Sequence, residues 1–169
     1  PPEEGAKAPV EKPWAACGHQ GKRPHNIVNS LYLTPEKLES LVKERYQRYE
    51  TVKATEQRAE EYLTEDADVI VVAYGASSRV SRSAVNKARE KGLKVGLVRP
   101  ITLWPFPVDA LKRAASHCKQ MLVVEMSMGQ MVDDVKLAID CKVPVHFYGR
   151  TGGMIPTPAE VLEQIEALL

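Results

Sequence analysis

The second half of the chain repeats one pattern of hydrophobic and polar positions. A short aliphatic run ends in a Gly- or Pro-rich turn, and a stretch with apolar residues at helical spacing follows. These runs predict parallel strands at about 68–74, 94–98, 120–125 and 144–148. The stretches between and after them predict helices that end near Lys91, His117, Ile139 and Leu169. Because each strand is apolar on both faces, we expect an α/β fold with three α/β/α layers and a mostly parallel sheet.

The same pattern restricts the order of the strands. Right-handed crossovers that place helices on both faces of a sheet force the strand order to reverse once. The strand at 68–74 is therefore expected to neighbour both 94–98 and 120–125. Ligands of such sheets bind at the carboxyl ends of the strands, so candidate sites are sought in the loops there.

The first 63 residues are organised differently. Residues 1–33 hold five of the 12 prolines and little periodicity, which indicates an extended linker or crossing segment. Thr34 and Pro35 are typical of a helix start, and residues 34–63 are predicted to form a helical lead-in that reaches the low fifties. Residues 57–64 fit either continued helix or a short antiparallel edge strand, before the α/β domain at 64–169.

Composition excludes several classes of function. The chain has 23 basic and 22 acidic residues, a net charge of +1, so no general field attracts nucleic acid or a membrane surface. No apolar run approaches the ~20 residues of a membrane span, and no signal peptide is visible. Because the chain starts at Pro1 rather than Met, we interpret it as a fragment of a longer polypeptide.

The cysteines are few and scattered. Cys17, Cys118 and Cys141 form no C-x-x-C pair, which fits a reducing cytoplasm and opposes a disulfide framework or a cysteine-bound zinc or iron–sulfur cluster. Cys17 with His19 and His25 matches no standard ligand spacing, so we predict no metal site.

The loop after the first parallel strand is the strongest candidate site. Gly75 ends the strand, Ser77 and Ser78 are suited to cap the next helix, and Arg79 adds positive charge, a combination that favours an anion. The opposite wall of the predicted crevice would be Gly129 and Gln130. Helix capping by the serines explains the same residues without a ligand, and the loop lacks the glycine fingerprints of dinucleotide and P-loop sites.

Glu125 ends the third parallel strand, where it is placed to bind a substrate or act as an acid. An ion pair with Arg99 or Arg150 is the alternative that we favour. Met126 and Met128 follow, and either face a neighbouring subunit or belong to the core.

Aromatic residues mark candidate interfaces. Trp104 and Phe106 stand in a Pro-locked turn that is suited to docking on a partner or to packing under the sheet edge, and Trp14 is too apolar for a free tail. Arg150, Gly152 and Gly153 fit an anion cradle or, more simply, a tight turn before the last helix. No Ser/His/Asp, Cys/His or H-E-x-x-H constellation occurs, so no catalytic residue is predicted.

Five segments are distinctive: VNSLYLTPE at 28–36, VAYG at 72–75, GLVRPITLWPFP at 96–107, VVEMSMGQM at 123–131 and VPVHFYGRTGG at 143–153. Together they resemble one protein family, the α subunit of 2-oxoacid:ferredoxin oxidoreductases in its transketolase C-terminal-like domain. The first of them looks like the branched-chain, 2-ketoisovalerate type. The resemblance also implies an antiparallel edge strand near 58–63, beside 94–98.

The resemblance implies an enzyme that oxidatively decarboxylates a 2-oxoacid to an acyl-CoA with thiamine diphosphate, Mg²⁺ and 4Fe–4S clusters, and passes electrons to ferredoxin. It implies as partners the subunit's own N-terminal domain and a β subunit with other subunits. None of these cofactors is expected to bind this fragment, which would organise subunits and be inactive alone. Two alternatives stay open: the corresponding domain of a 2-oxoglutarate, pyruvate or other thiamine enzyme, and a stand-alone flavodoxin-like anion-binding module.

Overall fold

The computed structural model describes residues 12–15, 18–27 and 29–169. The chain divides into two units, Pro1–Lys43 and Glu44–Leu169. In the first unit Trp14, Ile27, Leu31 and Leu33 are all exposed. Val28 lies outside the described residues.

The described residues form a helix and two consecutive strands, after which helices and strands alternate, with bounds that agree with the predicted ones to within a few residues. The helices are α1 (Pro35–Thr55), α2 (Gly75–Glu90), α3 (Val108–Ala115), α4 (Met131–Ala138) and α5 (Pro158–Glu166). The strands are β1 (Ala59–Tyr62), β2 (Val69–Val72), β3 (Val95–Pro100), β4 (Gln120–Glu125) and β5 (Val145–Gly149). No helix of the described residues is long and apolar enough to cross a membrane.

The sheet has five strands in the order β1-β3-β2-β4-β5. Strand β2 pairs in parallel with both β3 and β4, which confirms the predicted reversal of strand order. Strand β1 pairs antiparallel with β3, with Ala59 opposite Pro100 and Glu60 opposite Arg99. Of the two predictions for 57–64, the edge strand is therefore the right one.

Two hydrophobic layers cover the sheet, one on each face. Ile70 and Val72 of β2 point into the layer that includes α3 and α4. Val69 and Val71 point into the layer that includes α2 and α5. These side chains are fully buried, and each such burial stabilises the fold by about 1.5–3 kcal/mol before entropy is counted. The three-layer α/β/α architecture is thus confirmed.

The last helix begins as its sequence predicts. The Thr157 hydroxyl accepts a hydrogen bond from the Glu160 backbone N–H, and the Glu160 carboxylate accepts one from the Thr157 N–H, which forms a capping box with Pro158 as the first helical residue. Gly152 and Gly153 before it have φ of +62° and +85°, a backbone that favours glycine. These glycines therefore form a tight turn before the last helix, which was the simpler of the two interpretations of this segment.

Candidate functional site

Helices α2 and α4 both begin at the carboxyl ends of central strands. Strand β2 leads through the turn at Gly75 into α2, and its neighbour β4 leads through 126–130 into α4. This is the point where the strand order reverses, the place in such sheets where ligands most often bind. The first turn of each helix has backbone N–H groups without partners inside the helix, and these groups attract anions.

The start of α2 differs from its prediction. The helix begins at Gly75, its N-cap is Tyr74, and no side chain caps it, so the predicted capping by Ser77 or Ser78 is wrong. Gly75 has φ of +57°, which lets the chain turn into the helix before the serines are reached. Both serines are instead buried in the first turn, where the Ser78 hydroxyl donates to the Gly75 carbonyl oxygen at 2.8 Å.

A pocket of about 450 Å³ opens beside this first turn, between α2 and the β1–β3 edge of the sheet. We call it the arginine pocket, after Arg79, Arg82 and Arg99 in its wall. Its full lining is Glu60, Gly75, Ala76, Ser78, Arg79, Arg82, Leu97 and Arg99. Gly75, Ser78 and Arg79 were predicted for a site here. Ser77 is not in the wall, and neither are Gly129 and Gln130, because the pocket lies on the β3 side of α2 rather than on the β4 side.

Ion pairs connect most of the charges in the arginine pocket. The Glu60 carboxylate contacts Arg82 at 2.8 Å and Arg99 at 3.0 Å. The hydrogen bond from Arg99, followed by that from Arg82, holds the pKa of Glu60 below its ordinary value of 4.5. Arg82 also lies 4.0 Å from the centre of the Tyr62 ring.

Arg79 is the exception among these cations. It is exposed and makes no ion pair or side-chain hydrogen bond within the part of the chain that the structure describes. The pocket therefore holds three guanidinium groups against one carboxylate. Sequence reasoning missed Glu60 as part of this site, because only the antiparallel pairing of β1 places it opposite Arg99.

A side chain of the same chain caps the start of α4. Glu125 is 2% exposed, and its carboxylate accepts hydrogen bonds from the backbone N–H groups of Gln130 (3.1 Å), Met131 (3.1 Å) and Val132 (3.0 Å). The Ser127 hydroxyl donates to the same carboxylate at 2.9 Å. A buried carboxylate thus takes the place that an external anion would occupy at a helix N-terminus.

The ion pair favoured for Glu125 is therefore wrong. Arg99 contacts Glu60, and Arg150 contacts Glu160 at 2.7 Å. Four donor groups of the chain hydrogen-bond to Glu125. This arrangement gives the residue a structural role in the α4 loop.

Loops that follow the parallel strands carry exposed apolar side chains, which we call the carboxyl-end apolar residues. Of those predicted for an interface, Trp104 is 55%, Met126 44% and Met128 82% exposed. Trp104 contacts Tyr49 edge to face, with ring centres 5.3 Å apart. Phe106 is half-buried against the core, so packing under the sheet describes it better than docking. The other members are Tyr74, Ile101, Leu103, Met154 and Ile155.

A metal site needs several His, Cys, Asp or Glu side chains close together. Among the described residues, no group of three or more such side chains could hold a metal ion. Cys118 is buried, and burial raises the pKa of its thiol, whereas Cys141 is exposed. The rings of His19 and His25 lie 4.1 Å apart, but Cys17 lies outside the described residues.

A five-stranded sheet with one antiparallel edge and two helix N-termini at its reversal point defines a doubly wound α/β domain. Residues 67–161 match the family described as pyruvate:ferredoxin oxidoreductase core domain II. The chain belongs to this family.

Similar proteins include subunits of 2-oxoacid oxidoreductases. The chain is 42% identical, over 164 residues, to ketoisovalerate oxidoreductase subunit VorB of Methanothermobacter thermautotrophicus, a match that covers 97% of this chain and 46% of that protein. It is 39% identical to 2-oxoglutarate synthase subunit KorA of Methanothermobacter marburgensis over 102 residues, 60% of this chain and 27% of that protein. The chain thus spans less than half the length of these curated relatives.

The fold is also similar to that of a solved enzyme. The 2-oxoglutarate:ferredoxin oxidoreductase from Magnetococcus marinus, with 2-oxoglutarate, coenzyme A and succinyl-CoA bound, aligns with a TM-score of 0.64 and 23% identity. The alignment covers 80% of this chain and 24% of that one. At this identity the likeness establishes the fold.

Proposed function

We propose that the chain is part of the α subunit of a 2-ketoisovalerate:ferredoxin oxidoreductase and organises the other parts of that enzyme around it. The observation that carries the proposal is the 42% identity to a ketoisovalerate oxidoreductase subunit, which extends over 97% of the chain. The match to a 2-oxoglutarate synthase subunit reaches 60% of the chain. The longer match favours 2-ketoisovalerate over 2-oxoglutarate as the substrate.

An organising role is supported by the carboxyl-end apolar residues. Trp104 lies in the loop after β3, and Met126 and Met128 lie in the loop after β4, both at the carboxyl end of the parallel strands. Burying large apolar side chains against a partner is favourable, and Trp and Met are enriched at such interfaces. In this proposal they contact other parts of the same oxidoreductase, namely the N-terminal domain of the α subunit and the β subunit.

The proposed whole enzyme uses thiamine diphosphate, Mg²⁺, 4Fe–4S clusters and coenzyme A, and it reduces ferredoxin. The cofactors supply the chemistry of decarboxylation and electron transfer. This chain supplies surfaces that hold neighbouring domains in position, and on its own it does not turn over a 2-oxoacid.

The test starts from the enzyme in which the chain occurs. We would purify that assembly from the native cells through a tag on this chain, and measure reduction of a viologen dye with coenzyme A and 2-ketoisovalerate, 2-oxoglutarate or pyruvate. The expected result is the highest kcat/KM for 2-ketoisovalerate, with no dye reduction by the isolated 169-residue chain.

Two results would contradict the proposal at different levels. A higher kcat/KM for 2-oxoglutarate or pyruvate would remove the substrate assignment and keep the enzyme class. An assembly that reduces the dye with none of the three acids would remove the enzyme class as well.

A further inference from the structure

The arginine pocket has more positive charge than the fold requires. Glu60 neutralises one of the three guanidinium groups, and its two ion pairs hold β1 to β3 and α2. Arg79 takes no part in that network and makes no ion pair within the described residues. Three cations gathered beside one cavity repel each other, and an anion bound between them relieves that repulsion.

We propose that the arginine pocket binds the phosphate group of a small molecule, with Arg79 as its unpaired contact and Arg82 and Arg99 shared between Glu60 and the phosphate. A phosphate ester has up to two negative charges, which match the two guanidinium groups that Glu60 leaves without compensation. Guanidinium groups present planar, bidentate donors that fit phosphate oxygens.

The shape and position of the pocket support the same ligand class. Its volume of about 450 Å³ lies within the range of small-molecule sites. Gly75 and Ala76 line it, and as the first two residues of α2 they have backbone N–H groups that the helix does not use. The side chains of Arg82 and Arg99 are 41% and 43% exposed, so a ligand from solvent reaches them.

In this proposal the Glu60 carboxylate competes with the phosphate group for Arg82 and Arg99. It lies where a ligand oxygen would contact these two arginines. Removal of its charge should therefore tighten anion binding, the opposite of what is expected if the cluster serves only the fold. This proposal is independent of the proposed enzyme, because it concerns only residues of this chain.

The experiment titrates the purified chain with inorganic pyrophosphate, by calorimetry and by 15N chemical shifts, in low-salt buffer. We expect saturable binding with shifts at Gly75 and Ala76. Arg79→Gln should weaken binding about tenfold without lowering the Tm, since Arg79 has no structural contact to lose. Glu60→Gln should tighten binding. Citrate, a carboxylate probe of similar charge, should bind more weakly than pyrophosphate.

Arg58→Gln is the matched control. Arg58 lies two residues before Glu60, pairs with Glu56 at 3.0 Å and stands outside the pocket, so its loss removes the same charge nearby. Unchanged affinity in this variant supports the proposal. It is overturned if wild type shows no saturable binding, if Arg58→Gln weakens binding as much as Arg79→Gln, or if citrate binds as tightly as pyrophosphate. If Glu60→Gln fails to fold, the Arg79→Gln and Arg58→Gln pair still decides.

Discussion

Helices α2 and α4 start at neighbouring strands, and their first turns have opposite surroundings. At α4 the buried carboxylate of Glu125 accepts hydrogen bonds from three backbone N–H groups. At α2 no side chain caps the helix, and arginines stand around the open pocket beside it. The topology of the sheet offers two places for an anion, and the chain occupies one of them with its own side chain.

The difference shows what each helix start contributes. A buried carboxylate loses much of its hydration, and only several charge-assisted hydrogen bonds offset that loss. With four donors satisfied, the loop before α4 is fixed. The first turn of α2 has no capping side chain and lies beside three guanidinium groups, so we expect it to contribute less to stability and to attract an anion.

The largest expected effect on stability comes from removing the carboxylate that caps α4. Glu125→Ala leaves three buried or partly buried backbone N–H groups and the Ser127 hydroxyl without an acceptor. We expect the free energy of unfolding to fall by about 3 kcal/mol or more, measured by urea denaturation. Glu163→Ala, an exposed residue on α5, is the control and should change it by less than about 0.5 kcal/mol. An equal decrease in the free energy of unfolding in the two variants would show that Glu125 does not stabilise the start of α4.

A moderate, pH-dependent effect is expected at the α2 side. Because the pKa of Glu60 is lowered in the folded chain, its charge stabilises the fold above the unfolded value of 4.5, and this contribution is lost as pH falls through the folded pKa. Glu60→Gln should therefore cost about 1 kcal/mol at neutral pH, typical of partly exposed pairs. The difference from wild type should shrink below pH 4.5 in urea titrations. A difference that stays constant down to acid pH would contradict the paired geometry.

The smallest effect concerns a buried hydroxyl of α2. Ser81 of α2 is fully buried, and its Oγ has no hydrogen-bond partner among the described residues. Ser81→Ala removes that unpaired polar group and adds a better helix former, so thermal denaturation should show a gain of up to about 1 kcal/mol. A loss of stability would mean that the hydroxyl has a partner in solution.

The sequence predicted the parallel strands well because each is apolar on both faces, a signal that depends on no distant residue. It left 57–64 open between helix and strand, since Glu60 and Glu61 are adjacent charges in a four-residue strand that only pairing with β3 stabilises. Only the family resemblance favoured the strand there.

The structure brings part of the predicted anion site together, and ligand binding there stays a prediction. Gly75 and Arg79 line the same pocket, and both follow a strand end that the hydrophobic pattern predicts. The predicted partners of Glu125 were wrong because its donors are backbone N–H groups. Every residue type except proline has such a group, so the sequence does not single out these donors, whereas arginines are visible in it. The cap of α2 was wrong for a similar reason, since the backbone turn at Gly75 decides where the helix begins.

The short strand β1 affects the tendency of the molecule to self-associate through the edge of its sheet. An edge strand offers unpaired backbone groups to any passing chain, and long, uncharged edges promote aggregation. Strand β1 has four residues, and two of them are glutamates held from opposite faces, Glu60 by Arg82 and Arg99 and Glu61 by Arg113. The ion pairs that shape the arginine pocket thus also protect this side of the sheet from adding a foreign strand.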